Sequence, residues 1–352
     1  MSEAESSQSK TRQIIATVVT VVTLAVVFGR ILPQLADYGE AWDAVQGMPS
    51  WTLGLLVLVT VANIIVYVWP YQAALPGIAY WPAFVVRNTS FAISNGVPAG
   101  GAFGLGVQYK MLGDYGFGSG PATAAIGITS VWNTLVTLGL PVLAVLALVV
   151  VGDVEAWVWG AAAIGLVAVG LAVGLLVLVF KSESAAHRVG EMADGLVTRL
   201  AHVVRKEVDL DLVTKLLSFR TSTIDVVSER ARAITLTNVL QQLTQFLVLF
   251  IALRGIQADV ATQTTAAEAF VAFSVGRLGS FIPLTPGGLG TVDALITGIL
   301  VGFGAVEANA LAATLVWRAA TFFPQIFIGI GTFLFWRRRS RKRLEAPEVV
   351  SD

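Results

Sequence analysis

The sequence predicts an all-α polytopic membrane protein with about six full spans and two broken, re-entrant helical hairpins. Three observations carry that expectation. Of 352 residues, 55% are apolar and 13% charged, about half the charged share of a soluble domain. Several apolar runs exceed the ~20 residues that cross a bilayer as a helix. Two stretches deep in the apolar sequence are dense in proline, glycine and charge, and lipid tolerates broken backbone only against protein or a wet cavity.

Taken in order, residues 1–12 form a polar tail and residues 13–32 the first span. The first span lacks a small-residue cleavage site and is expected to be retained. The following loop carries Asp37, Glu40 and Asp43 without Lys or Arg. Residues 51–74 form the second span, closed by Trp69, Pro70 and Tyr71, which fit an interfacial aromatic belt. Residues 80–116 form the first broken segment, its arms separated by Gly96-Val97-Pro98-Ala99-Gly100-Gly101. Residues 121–151 and 155–180 are the third and fourth spans. Gly170 and Gly174 stand in GxxxG spacing, for close helix packing within the chain or a homodimer contact.

Residues 181–232 make the one long polar segment. Val189, Met192, Leu196, Leu200 and Val203 recur there at helical spacing, which fits an amphipathic helix on the membrane surface or a solvated helical linker. Residues 233–253 form the fifth span, 267–302 the second broken segment and 307–336 the sixth span. One transmembrane domain thus covers 13–336, as repeat one (about 13–151) and repeat two (about 155–336). A basic and then acidic tail follows at 337–352. Lys and Arg concentrate in both tails and in 181–232, which puts all three in the cytoplasm.

Net charge is zero and cysteine is absent, which gives no electrostatic ground for a nucleic-acid partner and excludes disulfide or thiolate chemistry. His187 and His202 both lie in the polar segment and fit solvated surface. There is no GxSxG, GxxxxGK[ST] or HExxH motif and no acidic metal cluster, so neither an enzyme nor a cofactor or metal is expected.

The second broken segment, Phe281 to Asp293, carries the strongest signal. Pro286 is placed to open a helix, and Gly287, Gly288 and Gly290 permit a sharp reversal. The free N–H groups of that helix start and the positive end of its dipole would meet little water. The first broken segment resembles it. Arg87 precedes Phe91 by four residues, as Arg277 precedes Phe281. Pro98 to Gly104 resembles Pro286 to Gly290, Gly116-Phe117-Gly118 matches Gly302-Phe303-Gly304, and Val131-Trp132-Asn133 matches Val316-Trp317-Arg318. The two segments enter from opposite faces, the pattern of an inverted-repeat transporter with its site at the midplane.

Intramembrane charges are costly and face a cavity or a partner. Arg87, Lys110, Arg277 and Arg318 lie in embedded segments, with Asp114 and Asp293. Guanidinium and helix N-terminal N–H groups both suit phosphate. The expected head-group contacts are Arg87, Asn95, Pro98, Gly100, Gly101, Lys110, Arg277, Pro286, Gly287, Gly288 and Arg318, with Asp293 as coupling acid. The alternative is that Arg277 or Arg318 pairs with Asp293 to hold the hairpin without a ligand. Gln108 offers a further contact. Asn238, Gln241, Gln242 and Gln245 fit interhelical hydrogen bonding or the cavity wall. Arg30 and Arg254 lie at span ends and fit snorkelling.

The block Thr285 to Asp293, the preceding Gly276 to Pro283, and Arg318 resemble the membrane domain of the bacterial aminoacyl-phosphatidylglycerol synthases and their stand-alone flippase-like relatives. Pro98-Ala99-Gly100-Gly101, Lys110-Met111-Leu112-Gly113 and Gly116-Phe117-Gly118 extend the resemblance, which runs from about Trp51 to Trp336. Where relatives carry a Glu-Arg pair in the third span, this chain has Trp132-Asn133. The resemblance implies an inner-membrane protein that flips a charged or phosphate-bearing lipid, a phospholipid or a polyprenyl-phosphate-linked glycolipid. It implies no lipid aminoacylation here, because the chain runs only sixteen residues past Trp336. Two other classes stay open: a non-transporting membrane partner of a cytoplasmic transferase, and a transporter of a small soluble anion.

Overall fold

The computed structural model describes residues 38–96, 100–151, 156–203, 212–257, 263–282 and 286–345. The expected first span, Arg30, the N-terminal tail, Pro98 and Pro283 lie outside these residues. The described residues form helices α1 (Tyr38–Gln46), α2 (Ser50–Val66), α3 (Trp69–Ala74), α4 (Tyr80–Gly96), α5 (Gly100–Asp114), α6 (Ser119–Val151), α7 (Ala156–Lys181), α8 (Glu183–Val203), α9 (Leu212–Ile256), α10 (Ala266–Leu278), α11 (Thr291–Gly302) and α12 (Glu307–Glu345), with short 3₁₀ turns at Gly279–Phe281 and Pro286–Gly288. Four stretches among them are long and apolar enough to cross a membrane: Ser50–Ala74, Ser119–Val149, Thr223–Ile256 and Glu307–Ser340.

Local sequence explains the interruptions. The second span breaks at Tyr67 and Val68 because Pro70, in the first turn of α3, has no N–H to continue the ladder. Tyr71 is fully buried and Trp69 exposed, so Trp69-Pro70-Tyr71 is a helix break that turns Tyr71 into the protein and leaves only Trp69 free for an interface. α10 starts at a capping box, in which Thr265 and Glu268 each bond the other's backbone N–H.

Two expectations change. The loop expected around residues 37–43 is helical from Tyr38 onward, as α1. Residues 212–232 do not belong to a separate surface helix; they continue without interruption into the fifth span as the 45-residue α9. Arg230 on that extension donates to the carbonyl of Ala73 at 3.2 Å and so caps the C-terminus of α3. Nothing stands within 4 Å of a Cβ built at Gly170 or Gly174, so the described packing does not use the GxxxG stripe.

α9 is the centre of the bundle. Asn63 of α2 donates to Thr244, Trp132 of α6 donates to Thr235, Gln242 donates to Asn133 of α6, and Trp317 of α12 donates to the carbonyl of Gln245. These bonds answer the question of the polar stripe for Gln242, whose amide bridges helices. They also give Asn133 a role, as an acceptor between α6 and α9.

The broken segments are two hairpins, α4–α5 and α10–α11, each with its own core. Tyr71, Val86, Met111, Leu112 and Trp336 cluster around the first. Phe273, Ile296, Leu300, Leu253 and Trp317 cluster around the second. Each hairpin's entering arm packs on the long helix that follows the other hairpin, α4 on α12 and α10 on α6. At the first of these contacts Thr89 and Thr332 share a hydrogen bond of 2.9 Å, and a Cβ at Gly329 would fall on the Asn88 carbonyl.

Both hairpins end in the same turn. Gly116 (φ 90°) bonds the Gly113 carbonyl and Phe117 bonds that of Leu112; Gly304 (φ 90°) bonds the Val301 carbonyl and Ala305 bonds that of Leu300. This left-handed C-cap pairs Gly116 with Gly304, two residues away from the register the glycine motifs alone indicate. Eighteen residues separate Pro98 from Gly116, and eighteen separate Pro286 from Gly304.

Candidate functional site

Asp293 occupies the first turn of α11 because the turn before it is built by glycine. Gly287, Gly288 and Gly290 have φ of 65°, 67° and 84°, a region that L side chains enter only at a cost. One carboxylate oxygen of Asp293 accepts from the Gly290 N–H at 2.8 Å. The other accepts from Nε of Arg318 at 2.8 Å and pairs with Nη2 at 2.8 Å. Arg318 also reaches the carbonyls of Gly287 (3.4 Å) and Gly288 (3.5 Å). Both side chains are buried, at 9% and 5% exposure. The ion pair anticipated as an alternative therefore forms, with Arg318 as the partner, and Asp293 is engaged at both oxygens.

The tips of the two hairpins touch. A Cβ added at Gly287 would lie 2.8 Å from Oδ1 of Asn95 and 2.9 Å from the Phe322 ring. Asn95 itself is held by its amide, which donates to the Phe91 carbonyl at 2.9 Å.

Arg87 and Arg277 differ from Arg318. The Arg87 guanidinium lies 4.5 Å from the ring centroid of Tyr67 and 5.6 Å from that of Tyr71, a cation–π arrangement. Its Nε is buried without an acceptor, and so is Nε of Arg277. Arg277 lies within electrostatic range of both Arg318 and Tyr67. Among the described residues neither Arg87 nor Arg277 has a carboxylate partner. Rings join Arg87 to Arg318: Tyr67 meets Phe91 edge-on at 5.8 Å, Phe91 meets Phe322 at 5.6 Å, and Arg318 lies 5.9 Å from Phe322.

Arg87, Asn95, Arg277, Gly287, Gly288, Asp293 and Arg318 thus converge from α4, α10, α11 and α12. Lys110 does not join them. The buried stripe of α5 runs through Gly100, Gly104, Gln108, Met111 and Leu112, and Lys110 falls off it, exposed. Gly101 is likewise exposed with open space where a side chain would go. Gly100 serves the hairpin, since a Cβ there would fall on the Ile93 carbonyl. Gln108 is spent between Tyr71 and Ser90, at 3.0 and 3.4 Å. Asp114 accepts from Trp336 and Ser340, each at 2.9 Å. Arg254 bonds Gln263 and lies over Phe250.

Tyr67, Tyr71 and Phe322 were not singled out as site residues from the sequence. The signal for the first two was Pro70, which breaks a span that composition alone reads as continuous. Among the described residues no group of three His, Asp or Glu is placed to hold a metal, and His187 pairs with Glu191 on an exposed surface at 3.4 Å.

No curated protein matches the chain. Residues 13–329 match the family described as the lysylphosphatidylglycerol synthase TM region. The match covers Arg87, Arg277 and Arg318, both hairpins and most of the long helices around them, and the chain belongs to that family.

Proposed function

We propose that this protein moves a phosphate-bearing lipid head group between leaflets, through the space where the two hairpin tips meet. The two hairpins and their flanking helices would form an inverted repeat, with both termini on the cytoplasmic face of the inner membrane. The protein would act as a transporter and not as an enzyme. The observation that carries this reading is the pair of half-buried arginines, Arg87 and Arg277, each with its Nε shut away from solvent and with no carboxylate partner among the described residues. Intramembrane charge persists where it serves a cavity or ligand, and guanidinium is the side chain best matched to phosphate. The exchanged packing of α4 on α12 and α10 on α6, and the shared capping turn, support the repeat.

The test is a proteoliposome assay that follows fluorescent anionic, zwitterionic and aminoacylated lipids across the bilayer. The wild-type protein moves at least one of them. Arg87→Ala and Arg277→Ala, monodisperse in detergent, lose that movement. Wild-type rates in both variants would sink the site assignment, and no movement of any lipid, with or without a proton gradient, would sink translocation.

A further inference from the structure

We infer that the head group is dianionic, a phosphomonoester or a diphosphate, and that it belongs to a lipid. The inference rests on the translocation reading and narrows its substrate. Charge at the site divides cleanly. Arg318 is neutralised by Asp293 through two contacts of 2.8 Å, and the second oxygen of Asp293 is held by the Gly290 N–H. What remains is Arg87, over the ring of Tyr67, and Arg277, each with a buried Nε–H that donates to nothing. The resting site therefore presents two positive charges and at least two unused donors, in a setting that screens charge poorly.

A ligand that balances both guanidiniums carries two negative charges. A phosphodiester brings one. A phosphomonoester brings close to two at neutral pH, its second ionisation lying near pH 6, and a diphosphate brings at least two. A lysylated phosphodiester carries a net positive charge and would meet like charge. The lipid origin is argued from the rim. Phe281 and Ile282 at the tip of the second hairpin and Phe323 beside Phe322 stand exposed, at 45%, 45% and 54%, which suits an acyl chain better than a hydrated ion.

The experiment measures binding to protein in nanodiscs and movement in proteoliposomes for four probes: phosphatidic acid, a prenyl diphosphate, phosphatidylglycerol and lysyl-phosphatidylglycerol. Inorganic phosphate and pyrophosphate serve as soluble competitors. A second charge-assisted contact is expected to favour the first two probes over phosphatidylglycerol by about tenfold or more. Arg87→Gln or Arg277→Gln is expected to bring that preference close to unity. Equal or tighter binding of phosphatidylglycerol or its lysylated form by the wild type would overturn the dianion assignment while leaving translocation standing. Tight, selective binding of phosphatidic acid with no lipid moved would uphold the assignment and remove the transport reading. Pyrophosphate that displaces phosphatidic acid at equal concentration and accumulates inside vesicles would overturn the lipid origin.

Discussion

Hairpin α10–α11 is fastened at its tip, where Arg318 of α12 grips Asp293 and the carbonyls of Gly287 and Gly288. Hairpin α4–α5 is fastened at its base, where Asp114 accepts from Trp336 and Ser340 near the other end of the same helix. Both hairpins close with the same glycine turn, and each presents one arginine that has no carboxylate partner among the described residues. One tip is thus a fixed wall of the site. Among the described residues the other reaches it through Asn95 and the rings of Phe91 and Phe322, contacts that part without exposing an ion pair.

The largest test of this contrast removes the lock. Asp293→Asn leaves Arg318 buried without its charge partner and is expected to cost about 3 kcal/mol or more, read as a lowered midpoint in detergent unfolding. Arg318→Gln in the same chain is expected to restore part of the loss, because a neutral pair replaces a lone charge; no restoration would mean that the two residues act independently. Gly287→Ala comes next, at about 1–2 kcal/mol, since its φ is 65° and its new methyl would press on Asn95 and Phe322. Lipid movement is expected to fall further than stability does, and an unchanged rate would show that the tips need not meet. Smallest and most even are Gly116→Ala and Gly304→Ala, each expected to cost about 1 kcal/mol. A several-fold inequality between them would count against equivalent turns in the two hairpins.

Much of this was legible in the sequence, for physical reasons that differ by residue. Proline and glycine inside apolar sequence announce broken backbone, so both hairpins were visible, and so were Arg87, Arg277 and Arg318 as charges needing a partner or a cavity. Which arginine takes Asp293 was not legible, because spacing allows both and only the path of α12 over the α11 start decides. Lys110 was misplaced because the phase of α5 is set by its glycine contacts with α4, which a list of embedded charges ignores. Tyr67 and Tyr71 were hidden by composition: aromatic residues near a span end look interfacial until the break at Pro70 draws them inward. The polar segment misled for another reason. Amphipathic spacing around α8 says nothing about residues 212–232, whose helix is prolonged by the apolar span behind it.

That prolonged helix has a mechanical consequence. α9 contains no proline and no glycine before Gly255, so over its length it behaves as a rod. At 1.5 Å per residue it is about 68 Å long, twice the ~30 Å thickness of the hydrocarbon layer. Arg230 pins it to α3 partway along. A tilt of about 5° about that pin would swing the Arg254 end, roughly 36 Å away, by about 3 Å. The polar end beyond the pin would swing the opposite way. Motion of the bundle is then transmitted from water to the far side of the membrane without any hinge inside the rod.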